Sequence, residues 1–132
     1  MNLSLTNKNA LVCGASAGIG KATAKELALL GATVTLVARN EDKLKVVLSE
    51  LPKPEHQSHS YIVADFSKPE ILKDRVNKVA KNTAFHILIN NTGGPKGGNI
   101  FNAEILEFDK AFTQHLKCNH LLAKAVVPKM KD

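Results

Sequence analysis

The 132 residues are 44% hydrophobic and 23% charged, the balance of one soluble globular unit expected to bury roughly two thirds of its unfolded surface. The net charge of +6 suits an anionic ligand, a cofactor phosphate or an acidic carrier protein, yet the basic residues are scattered (Lys21, Lys43, Lys73, Lys110, Lys129) and aromatics make up only 5%, which argues against a nucleic-acid surface. No run approaches the roughly 20 apolar residues of a membrane span, no signal peptide is expected, and Cys13 and Cys118 lack metal-ligand spacing, so both are read as reduced thiols in a cytoplasmic protein.

Apolar periodicity predicts a strand near 9–13, a glycine turn, an amphipathic helix near 18–30, a strand at 33–38 and a helix at 41–51. Residues 52–59, Pro-Lys-Pro-Glu-His-Gln-Ser-His, form a polar, proline-marked connection. His56 and His59 lie in it without further ligands at metal spacing, so a solvated loop is expected and no metal site. A third strand near 60–64 precedes a helix whose start is marked by Ser67, Pro69 and Glu70, read as a capping box with Pro in the first turn. A fourth strand, 86–90, leads into the loop Gly93-Gly94-Pro95-Lys96-Gly97-Gly98, and one last helix is expected from about 104 to 130. Its apolar stripe runs through Phe108, Phe112, Leu116, Leu122, Val126 and Met130. Alternating strands and helices with right-handed crossovers give an α/β, Rossmann-like doubly wound parallel sheet in the order 3-2-1-4. Strand four, Ile87-Leu88-Ile89, is then an apolar edge that invites association.

The strand, glycine turn and helix between residues 10 and 32 form a site for a dinucleotide pyrophosphate. Gly14 lets the chain leave the strand tightly, Gly18 lets backbone approach a phosphate, and Gly20 lets the helix pack close to the sheet. The helix then presents free N–H groups and its positive dipole end to the anion, with Ile19 in the turn. No base neighbours Ser16 in sequence, so its hydroxyl is read as a phosphate partner, not a nucleophile. The second strand ends in Arg39-Asn40, where an NAD site places an acidic residue on the ribose hydroxyls. Arg39 offers a cationic fork for a 2′-phosphate, which favours NADP(H) over NAD(H); a plain solvated charge is the alternative.

Cys13-Gly14-Ala15-Ser16-Ala17-Gly18-Ile19-Gly20, Asp65 after the third strand, and Asn90-Asn91-Thr92-Gly93 after the fourth together resemble the short-chain dehydrogenase/reductase family, close to its 3-oxoacyl-carrier-protein reductases. Cys13 stands where that family usually has Thr, and Thr92 where it has Ala. The resemblance implies an NADP(H)-dependent oxidoreductase with Gly14, Ser16, Gly18, Ile19 and Gly20 at the pyrophosphate. It puts Arg39 at the 2′-phosphate, Asp65 at the adenine, and Asn90, Asn91 and Gly93 beside the ribose. The substrate would be a small carbonyl compound or a carrier-bound acyl group, and the protein a homo-oligomer. The catalytic Ser and Tyr-x-x-x-Lys of the family are absent from these residues. Tyr61, the one tyrosine, is followed four positions on by Asp65, so residues 1–132 are expected to be a truncated cofactor-binding domain without turnover. His115 occupies the register of the family's helix Asn and is the one catalytic candidate. Pairing with Asn119 or with water is the alternative. A stand-alone dinucleotide-binding or interaction module is the other functional reading.

Overall fold

A computed structural model describes residues 3–131. Its strands are β1 (Asn9–Cys13), β2 (Thr33–Ala38), β3 (Ser60–Val63) and β4 (Ile87–Ile89), all parallel and ordered β3-β2-β1-β4. The α-helices are α1 (Gly18–Leu29), α2 (Glu41–Glu50), α3 (Pro69–Ala80), α4 (Ile105–Phe112) and α5 (Cys118–Met130), with a short 3₁₀ turn at Ile100–Asn102 and a π turn at Thr113–Lys117. The doubly wound sheet expected from the sequence is the one observed, with strand and helix ends within about two residues of the reading.

The continuous apolar character of β1 follows from helices on both faces. Leu11 and Cys13 pack with α3 and α5, through Leu72, Val76, Cys118, Leu122 and Val126. Ala10 and Val12 face the other way, toward Ala24 and Ala28 of α1 and Leu44 and Val47 of α2. Fully buried side chains such as Leu11, Leu36, Leu44, Leu72 and Leu122 each contribute about 1.5–3 kcal/mol by leaving water. Small Ala residues on α1 let that helix approach the sheet closely. In α3 and α5 the four-residue steps Leu72-Val76-Ala80 and Cys118-Leu122-Val126 form the inward stripe.

Three parts of the sequence reading are corrected. α3 starts without a capping box: Lys68 is its N-cap with no side-chain bond, and the Ser67 N–H instead donates to Asp65 Oδ1 at 2.8 Å. Pro69 does hold the first helical position, where its missing N–H costs nothing. The expected final helix is broken by the π turn, and its stripe belongs to two faces. Phe108, Phe112 and Leu116 are more than half exposed, whereas Leu122 and Val126 are buried. Finally, only His56 of the two loop histidines is exposed, at a φ of 57°. His59 Nδ1 accepts from the Val34 N–H at 3.0 Å and its Nε2–H donates to the Pro52 carbonyl at 2.9 Å, which ties the connection to β2. Neighbouring Gln57 is buried and donates to the Ala28 carbonyl at 2.8 Å, closing the C-terminal end of α1.

Partial burial lowers the His59 pKa from its ordinary 6.5, because the folded protein needs the ring neutral with a bare Nδ1 acceptor. Its contribution to stability is therefore complete above the unfolded pKa and is lost as pH falls through the lower folded value. Urea unfolding from about pH 7.5 to about pH 5 is expected to show a loss of stability that shrinks in His59→Asn; an unchanged pH slope in that variant contradicts the assignment.

Candidate dinucleotide site

The carboxyl ends of the four strands open onto one groove of about 680 Å³. One wall is the turn and first residues of α1, Gly14 and Ser16 through Ile19. Ala38 and Arg39 follow β2, Ala64, Asp65 and Phe66 follow β3, and Asn91 through Gly94 follow β4; Gln114 of the π turn completes the lining. The structure thus brings together Gly14, Ser16, Gly18, Ile19, Arg39, Asp65, Asn91 and Gly93. Gly20, Asn90 and His115 are not in the lining, and each has a different place.

Gly20 is buried beneath the turn, where a Cβ would overlap the Gly14 carbonyl and come within 2.8 Å of the Asn91 amide nitrogen. Gly14 has φ +60°, and a Cβ there would overlap the Asn91 carboxamide and carbonyl. Asn91 Nδ2 donates to the Cys13 carbonyl at 3.3 Å and reaches that of Gly14 at 3.4 Å, so the end of β4 is fastened to the end of β1. Asn90 is exposed on the other side of the chain. Gly18, at φ +55°, has nothing within 4 Å of where a Cβ would stand, so its surface belongs to the groove.

The start of α1 is built unlike those of α2 and α4. Asn40 caps α2, accepting from the Lys43 N–H at 2.9 Å with Glu41 and Asp42 in the first turn, and Glu104 and Glu107 form a capping box on α4. At α1 the N-cap is Ala17, no side chain caps the helix, and the first turn holds no acidic residue. Its opening N–H groups and dipole are therefore left to an anion in the groove. Farther along, Arg39 stands exposed at the end of β2, near enough for its charge to act on Asp65. The Ser67 N–H, and after it the charges of Arg39 and Lys68, hold the Asp65 carboxyl below the usual carboxylate range, so it is an ionised acceptor at neutral pH. Uncapped amides, an open glycine, a guanidinium and a carboxylate spaced along one groove fit the pyrophosphate, ribose and base of a dinucleotide.

The opposite wall carries a polar residue the motif reading missed, Gln114, beside the His115 it singled out. His115 Nδ1 lies 2.9 Å from Thr92 Oγ1, which replaces the expected pairing with Asn119, and His115 Nε2 is buried without a partner among the described residues. Four residues before Cys118, which donates its thiol to the Phe66 carbonyl at 3.2 Å, Gln114 enters the groove. The only signal for it in the sequence was its place next to His115. Burial pushes the Cys13 thiol up to about 12 and raises that of Cys118, so neither ionises as a nucleophile. Tyr61, half-buried on β3, donates to Glu41 Oε1 at 2.8 Å and does not line the groove.

Residues 8–132 match the family model of the short chain dehydrogenases. The chain belongs to that family. Among its relatives, the chain is 32% identical over 127 residues to the very-long-chain 3-oxoacyl-CoA reductase of Anas platyrhynchos, covering 93% of the chain and 41% of that protein. It is 40% identical over 84 residues to the inactive hydroxysteroid dehydrogenase-like protein 1 of Homo sapiens, covering 64% of the chain and 26% of that protein. It superimposes on L-sorbose reductase from Gluconobacter frateurii, solved with NADPH and L-sorbose, with a TM-score of 0.89 at 28% identity, covering 99% of the chain and 50% of that structure. The chain thus spans about half the length of its relatives, or less.

The two positive-φ glycines of the groove separate strain from close packing. Gly18→Ala is expected to cost only the left-handed backbone, about 1–2 kcal/mol. Gly14→Ala adds overlap with Asn91, worth about 1–3 kcal/mol more. Urea denaturation checks the order; equal losses would mean that Asn91 yields freely.

Proposed function

We propose that residues 1–132 form the NADP(H)-binding domain of a short-chain oxidoreductase that moves hydride between nicotinamide and a carbonyl carbon, on a small molecule or a carrier-bound acyl group. The observation that carries this reading is the α1 N-terminus, left uncapped over a groove that has a guanidinium at the end of β2. When bound, the dinucleotide supplies or accepts the hydride. Gly14, Ser16, Gly18 and Ile19 hold its pyrophosphate, Gly20 lets α1 approach closely enough to do so, Asp65 meets the base, and Asn91 and Gly93, with Asn90 behind them, shape the ribose end. Arg39 favours NADP(H): the residue beside it, Asn40, is spent on capping α2, so no carboxylate stands at the strand end to bind a bare 2′-hydroxyl.

Tyr61 donates to Glu41 and does not line the groove, so it is not placed to protonate a carbonyl oxygen there. His115 acts in this reading through Thr92, by fixing the β4 end against the π turn. One relative carries the word inactive in its name, which favours a second reading, a dinucleotide-binding module without turnover. Steady NADPH oxidation with a carbonyl substrate, surviving repurification, would overturn the second reading for this chain.

Titration of NADPH fluorescence is expected to saturate, with NADPH bound more tightly than NADH. Arg39→Ala should weaken NADPH roughly tenfold or more, the scale of a charge-assisted bond of about 1.5–3 kcal/mol, and leave NADH unchanged. No saturable signal overturns the cofactor reading. Equal affinities in the wild type overturn the preference alone.

Ile105, Leu106, Phe108, Phe112 and Leu116 are all at least half exposed along α4 and the π turn, which supports a homo-oligomer. Phe108→Asp with Phe112→Asp should lower the sedimentation coefficient to that of a monomer; a wild type that already sediments as a monomer at high concentration contradicts it.

A further inference from the structure

We propose that Gln114 reads the base of the nucleotide, as a specificity residue that works together with Asp65; this inference rests on the cofactor reading above. The groove has two sides with respect to the sheet. The amides of α1 approach from the face that carries α1 and α2, and Gln114 approaches from the face that carries α3 and α5. Its position is fixed by two contacts. Next to it, His115 is hydrogen-bonded to Thr92 at the end of β4; one turn later, Cys118 is hydrogen-bonded to Phe66 beyond the end of β3. Gln114 therefore lines the same groove as Asp65 and Phe66, on the far side from the phosphate-binding amides. A dinucleotide whose pyrophosphate lies on α1 and whose 2′-phosphate meets Arg39 has its base at the Asp65–Phe66 corner.

The chemistry of the two side chains is complementary to adenine. Ionised Asp65 can only accept, and beside its bonds from Ser67 its carboxylate keeps acceptor sites for a donor such as an exocyclic amine. The ring nitrogen beside that amine is an acceptor and needs a donor, which Asp65 cannot supply. The Gln114 carboxamide carries both a donor and an acceptor, and it has no protein partner among the described residues. Amide side chains recognise the amine and adjacent nitrogen of adenine in this way in other settings. A hypoxanthine base puts a carbonyl where the amine stood, facing a carboxylate.

The test compares NADPH with its hypoxanthine analogue, which keeps both phosphates and the nicotinamide, by fluorescence titration of the 132-residue chain. Wild type is expected to prefer NADPH roughly tenfold. Gln114→Leu, which keeps size and helix propensity, should weaken NADPH several-fold and narrow that preference at least threefold, with Gln114→Ala behaving alike. A preference left at the wild-type ratio in both variants overturns the assignment of Gln114 while the cofactor reading stands. A wild type that binds neither nucleotide overturns both.

Discussion

Everything at the ligand-facing edge depends on how closely three backbones meet at Gly14, Gly20 and Asn91. The end of β1, the first turn of α1 and the end of β4 converge so tightly that a single Cβ on either glycine would sit inside a neighbour. Asn91 converts that proximity into order. Its amide donates toward the carbonyls of Cys13 and Gly14, which lie past the last pair of the β1–β4 ladder. The turn is held from behind by protein, and the front of Gly18 is left bare. A groove built in this order is rigid at its floor before any ligand arrives, which is the condition for binding a flexible dinucleotide without a further ordering cost.

The placement of polar groups follows the same division. Several helix termini are met by the chain's own side chains: Gln57 and Lys129 close the carboxyl ends of α1 and α3, Asn40 and Glu104 open α2 and α4, and His59 bridges the connection to β2. Surface ion pairs add little to this. Glu50 bridges Lys21 and Lys25 of α1 at 2.8 and 2.7 Å, and these pairs lower its pKa to about 2, but all three side chains are solvated and screened. A side-chain cap is withheld at the opening of α1, where the cost of unmet N–H groups can be recovered by an anion. α3 also opens without a side-chain cap but carries Glu70 in its first turn; α1 has neither, and it is that combination, placed over the groove, that is the functional signal.

Much of this was legible in the residues. Strand and helix periodicity, together with the 3-2-1-4 order, follow from local apolar pattern and the handedness of crossovers, and both are general rules. The glycine spacing carried the turn because each position has a separate steric reason. Two kinds of feature escaped. Side chains that act across long sequence separations, such as His59 on Val34 or Cys118 on Phe66, leave no periodic trace, so a polar loop and a buried thiol were all that could be read. The start of α3 was misread because Ser67 and Glu70 had the right spacing for a capping box, while Asp65 took the Ser67 N–H first. Asp65 is a turn residue and a groove residue at once, and only the fold shows both.

The last helix shows an apolar stripe that is continuous in sequence and divided in the structure. Phe108, Phe112 and Leu116 advance by four, as do Cys118, Leu122 and Val126, but the second series starts two residues after the first ends, about 200° round a regular helix. Because each step of four advances about 40°, a regular helix would still hold all six within one arc of about 160°, which is why the sequence reads as a single stripe. The structure buries the second series on the sheet and leaves the first in solvent, with the π turn at the change between them. That turn is also the only part of the segment that reaches the groove, through Gln114, and the part tied to β4 through His115. An irregular turn at this junction does what neither regular half could do. It aligns a buried stripe for the core behind it, while sending two consecutive polar side chains to different tasks at the strand ends.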